Sequence, residues 1–121
     1  LQDAEAAYER AVAVAEAKYD AAAGVEALVG LVATRISLRK LDGAEAGLAR
    51  LAEVAPSSAG NYVLEAQLAL ARGRLEDAAS AATRAANRVP EDIRPRLLLA
   101  SIKARQGQNL QAELHAQRIL T

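Results

Sequence analysis

The chain has 121 residues, about one domain, and its 15 Lys and Arg balance its 15 Asp and Glu. Zero formal charge excludes bulk attraction to nucleic acid or an anionic membrane, and the absence of Cys excludes disulfides, thiol nucleophiles and thiolate metal sites. Apolar residues make up 52% and aromatics 2%, with 31 Ala; Ala favours helices and is depleted in strands, so the composition predicts an all-α fold.

Breakers divide the chain into seven helix-length pieces. Asp3 to about Ala22 carries Tyr8, Val12 and Tyr19 at helical spacing, and Gly24 is expected to interrupt it. Val25 to Lys40 places Leu28, Leu31, Val32, Ile36 and Leu38 along one stripe. Asp42-Gly43 reads as a turn, Ala44 to Ala55 as a helix, and Pro56-Ser57-Ser58 as a stop with a hydroxyl to cap the next. Tyr62 to Arg72 follows, then Gly73, Leu75 to Val89 and Pro90. Asp92 suits an N-cap, with Pro95 tolerated in the first turn because its missing N–H has no partner there anyway. Leu97 to Arg105, a turn at Gly107, and Leu110 to Leu120 complete the series. No apolar run approaches the ~18 residues of a membrane span.

These pieces repeat. The positions of Pro56 and Pro90 differ by 34, as do those of Gly73 and Gly107. In the same register Ala66 matches Ala100, Ala78 matches Ala44 and Ala112, and Arg84 matches Arg50 and Arg118. A 34-residue helix–turn–helix period with a terminal Pro resembles the tetratricopeptide repeat (TPR) family. The resemblance implies an α-solenoid of antiparallel helix pairs, a TPR-like superhelix. Small residues such as Ala66, Ala78 and Ala82 would lie where paired helices approach closely. In the first full pair Arg39 stands in the place of the inter-helix Gly.

The opening stretch joins in a shifted register, Leu1-Gln2-Asp3-Ala4 matching Leu75-Glu76-Asp77-Ala78. The chain is therefore expected to open on the second helix of a repeat, as a piece of a longer array. From Glu16, in the place of the Pro, to Pro56 the spacing is 40 rather than 34, most simply through an extension of the first helix. The divisions within one domain are 1–24, then pairs 25–58, 59–92 and 93–121.

Signals for chemistry are absent. His115 has neither a nucleophile nor an orienting carboxylate beside it, and reads as a surface or edge histidine. Glu76-Asp77 and Glu91-Asp92 suit helix N-termini through the dipole rather than a metal. No Gly-rich phosphate loop or hydrolase elbow occurs, so no catalytic, cofactor or metal residues are expected.

The first helix of each pair lines the concave face in the family. The resemblance thus implies a groove of Val29, Ala33 and Ile36, then Val63, Gln67 and Leu70, then Leu97, Ser101 and Ala104. No Lys, Asn or Arg occupies these positions, so the carboxylate clamp of one subset of the family is not expected; an apolar groove suits a peptide or protein segment with apolar anchors. The function expected is a non-enzymatic interaction scaffold. A spacer solenoid in a bacterial secretion or exopolysaccharide-export system is a second reading. A third is a polyanion-binding basic edge of Arg39, Lys40, Arg72, Arg74 and Arg105, against which stands the ordinary role of cations at helix C-termini. Self-association through incompletely covered terminal helices is expected as well.

Overall fold

The computed structural model describes residues 2–18, 20–56 and 58–120, the side chains of 2, 59, 111, 112 and 115–120 excepted. Six helices follow in order: α1 (Gln2–Ala17), α2 (Ala21–Ser37), α3 (Leu41–Val54), α4 (Ala59–Ala71), α5 (Leu75–Arg88) and α6 (Arg94–Leu120). No strand occurs among the described residues, so the fold is all-α. Expectations for Tyr19, Ser57, Ala112 and His115 lie outside the described residues and side chains.

Each helix packs on the next, and α2 also packs on α4. Leu28, Leu31 and Val32 of α2 meet Val12 of α1, Ala44 and Leu51 of α3, and Leu64 and Leu68 of α4. A second cluster joins Ala66 of α4, Ala78, Ala81 and Ala82 of α5, and Ile102 of α6. Helix α4 therefore serves two cores, with Leu64 and Leu68 on one face and Ala66 on the other. Alanine suits the second because a side chain without extra methylenes lets helix backbones approach, and Ala66, Ala78 and Ala82 are fully buried.

The sequence period reappears in the backbone hydrogen bonds. At the α2–α3 turn, the N–H groups of Leu38, Arg39 and Lys40 donate to the carbonyls of Thr34, Ile36 and Arg35. At the α4–α5 turn, Arg72, Gly73 and Arg74 donate to Leu68, Leu70 and Ala69, donors and acceptors alike standing one period later. The exits from α3 and α5 match too: Ala55 N–H donates to Leu51 and Ser58 to Ala55, as Val89 does to Ala85 and Asp92 to Val89.

Five expectations change. Asp42-Gly43 does not form a turn: α3 begins at Leu41 and contains both residues, and the left-handed turn residue is Arg39. Gly24 does not break a helix: Asp20 caps α2 by accepting from the Ala23 N–H at 3.1 Å, so Gly24 lies in the first turns. Helix α2 begins at Ala21, whereas Val25 is the residue in register with the Ala59 that opens α4. The added turn at its start takes up part of the extra length. Ser58 stands at the N-cap of α4, but its hydroxyl makes no capping bond; buried Asn61 instead donates to the Ala55 carbonyl at 2.7 Å, tying the end of α3 to α4.

The fifth change is the largest. The chain does not turn at Gly107, and the two expected helices are one, so there are six rather than seven. The sequence around Gly107 explains this. Leu41 and Leu75 open α3 and α5 as partly buried anchors, and acids follow in the first turn: Asp42, or Glu76 and Asp77. One period after Leu75 stands Asn109, and Gln108 to Gln111 contain no acid. Without an apolar anchor or a dipole-favoured start, a helical Gly costs only about 1 kcal/mol and the helix continues. As a consequence Ala100 is exposed, whereas its counterpart Ala66 is fully buried beneath α5. At the other end of α6, Asp92 accepts from the Arg94 N–H at 3.0 Å, and Pro95 is buried in the first turn.

Candidate functional site

The C-terminal ends of α2 and α4 converge beside Arg105 of α6. Ile36, Arg39, Gln67, Leu70, Ala71, Gly73 and Arg105 line an open hollow of ≈ 370 Å³ there. Two turns place its rim. Arg39 has φ 63° and Gly73 φ 75°, and this left-handed step lets each first helix end abruptly and the chain reverse. The hollow thus combines Ile36, Gln67 and Leu70 of the expected groove with Arg39 and Arg105 of the basic edge.

The other expected positions are distributed differently. Val29 and Ala33 are half-buried against the first core, and Val63 is half-buried on α4. Leu97 is 62% exposed, and Ser101 and Ala104 are exposed on α6 outside the hollow. Lys40 and Arg72 are committed to carboxylates. Arg72 pairs with Glu45 at 2.9 Å and Asp42 at 3.2 Å, and Lys40 pairs with Glu5. Arg74 borders a shallow depression with Leu75, Glu76 and Asp77. Arg39 and Arg105 make no ion pair with a described carboxylate.

Glu5 is the charged residue that sequence reasoning missed. It is buried, and accepts from Arg35 at 3.1 Å as well as from Lys40. Arg35 also reaches Glu9 at 3.3 Å and the Gly43 carbonyl at 3.3 Å. The Lys40 hydrogen bond chiefly, then Arg35, holds the Glu5 carboxyl below its ordinary range against the opposing effect of burial. A signal was present: Glu5 follows Ala4 as Glu45 follows Ala44, and Glu45 likewise binds the end of the next first helix through Arg72.

A second hollow, ≈ 360 Å³, opens where the end of α1 and the start of α2 approach the end of α3. Val12, Ala15, Val25, Leu28 and Val54 line it, and Arg50 bridges to Glu16 across its rim. It was not expected from sequence. Its one signal was the lengthened spacing from Glu16 to Pro56, which places extra residues between α1 and α2.

The first hollow offers two guanidinium groups and an amide over an aliphatic floor. Such a lining can seat an aliphatic side chain beside a carboxylate. Among the described residues, no three His, Cys, Asp or Glu side chains gather as metal ligands, and no helix is long and apolar enough to cross a membrane. No protein-family model, curated protein or solved structure matches the chain.

Proposed function

We propose that this chain is a non-enzymatic interaction scaffold, an α-solenoid of the tetratricopeptide-repeat kind. It takes a peptide or protein segment on the face made by α2, α4 and the first half of α6. The observation that carries this reading is the hollow where Ile36, Gln67 and Leu70 meet Arg39 and Arg105. An apolar anchor supplies most of the affinity through burial, at about 25 cal/mol per Å² of apolar surface. An acidic neighbour on the same segment meets the two guanidinium groups. The hydrogen-bond pattern shared by the two turns, one period apart, supports the repeat register behind this assignment. A polyanion-binding edge fits less well, because Lys40 and Arg72 already serve Glu5, Asp42 and Glu45.

The test is fluorescence anisotropy with labelled ten-residue peptides carrying one Leu flanked by Asp or Glu, against Lys-flanked controls. Acid-flanked peptides are expected to bind. Leu70→Asp should weaken binding at least tenfold with unchanged circular dichroism, and Arg72→Gln should leave it within twofold. No preference for acid-flanked peptides, or binding indifferent to Leu70→Asp and abolished by salt, overturns the reading.

A further inference from the structure

Helix α6 carries an uncovered face whose counterpart is covered elsewhere in the same chain. Ala66 on α4 is fully buried, in one cluster with Ala78 of α5. Its counterpart Ala100 is exposed, and so are Leu97 and Ala104 on the same face of α6. Further along the helix, Leu110 and Leu114 are 57% and 49% exposed. Leu97, Ala100, Ala104, Gly107 and Leu114 are spaced by three or four residues except across position 111, so they form one seam along the helix.

The chain itself contains the segment that fits this seam. Residues 108–120 stand one period after the residues of α5 that cover α4. In α6 they run straight on and cannot cover residues 94–106 of their own helix. Gly107 adds an independent observation. It is helical, so no left-handed turn requires it, and a Cβ there would meet no described atom within 4 Å. Glycine inside an exposed helix is less favourable than Ala, with nothing gained within the single chain.

We propose that two copies of this chain exchange the second halves of α6, residues 108–120 of each covering residues 94–106 of the other. The two α6 helices then lie antiparallel. If Ala100 of one copy meets Ala112 of the other, as Ala66 lies with Ala78, the two-fold axis passes at position 106, the midpoint of 100 and 112. Gly107 sits beside that axis, where the absence of a side chain lets the helices cross closely. The interface is isologous and closes at two copies, so it forms a dimer rather than a fibre. It rests on the repeat register and on Gly107, and its test is read without any peptide.

Because the chain has no cysteine, engineered pairs report cleanly. The 121-residue chain is measured by light scattering, and an equal mixture of Ala100→Cys and Ala112→Cys chains is oxidised. Twice the chain mass, and a disulfide-linked heterodimer far above the linkage of either variant alone, are expected. Gly107→Leu should weaken dimerisation at least tenfold while retaining helicity by circular dichroism. A monomer at every concentration, or a single Ala100→Cys/Ala112→Cys chain that closes its bond internally without linked dimer, overturns the proposal. So does a dimer that Gly107→Leu leaves intact and the cysteine mixture fails to link.

Discussion

Arg39 and Gly73, one repeat period apart, hold the same left-handed backbone, with φ of 63° and 75°, and each N–H donates to the carbonyl three residues back. The turn is therefore one device used twice, with a Cβ present at the first and absent at the second. A left-handed residue with a Cβ is strained, whereas Gly adopts this conformation freely.

Arg39→Gly should accordingly stabilise the fold by about 1 kcal/mol, and Gly73→Ala should destabilise it by about the same. A Cβ at Gly73 would meet nothing within 4 Å, so the second effect isolates the backbone. Urea unfolding followed by circular dichroism checks both, and equal midpoints for Arg39→Gly and the parent would contradict the strain.

Acid should loosen the α1–α2 junction. Lys40, with Arg35, lowers the Glu5 carboxyl from 4.5, so its ionised form favours the folded state. That contribution is complete above the unfolded value and is lost as pH falls below about 4.5 through the lower folded value. Asp92, held by Arg94 at about 2 against an ordinary 3.8, acts in the same direction at lower pH. Glu5→Gln should lower stability at pH 7 and flatten its decline between about pH 5 and pH 3. Parallel stability–pH curves for the two proteins would show that the contact does not contribute.

At Gly47, α3 approaches α2 closely. A Cβ there would lie 2.7 Å from Val32 Cγ2, and Val32 is fully buried on a stiff, β-branched side chain. Gly47→Ala should therefore cost about 1–3 kcal/mol through overpacking. Val32→Ala alone should also destabilise, by leaving a cavity, yet the double variant should be more stable than the two losses predict. Additive losses in denaturant unfolding would mean that the two sites do not meet.

The turn missing at Gly107 should be restorable. Asn109→Leu with Gln111→Asp copies Leu75 and Asp77, supplying an apolar anchor and an acidic first turn. The expected outcome is a helix broken at Gly107, an intrachain pair covering residues 94–106, and a monomer by light scattering. Small-angle scattering should show a shorter maximum dimension than that of α6 extended.

Helix content, the stops at Pro56 and Pro90 and the turn at Gly73 were all legible in the amino-acid order, because propensity, capping and left-handed glycine act within a few residues. The 34-residue spacing of the turns at Arg39 and Gly73 was legible for the same reason, since each turn carries its own local signals. Gly107 shows where this ends: a glycine permits both a turn and a helix, and an anchor for the returning helix must be present to select the turn. Asn109 supplies none, so α6 runs on. The joining of Glu5 to Arg35 and Lys40 across 30 and 35 residues belongs to the tertiary structure, as does the hollow shared by Ile36, Leu70, Arg39 and Arg105. Both depend on how far each helix is rotated and displaced against its neighbour, and that is decided by packing among Gly47, Val32 and the small alanines rather than by any local preference.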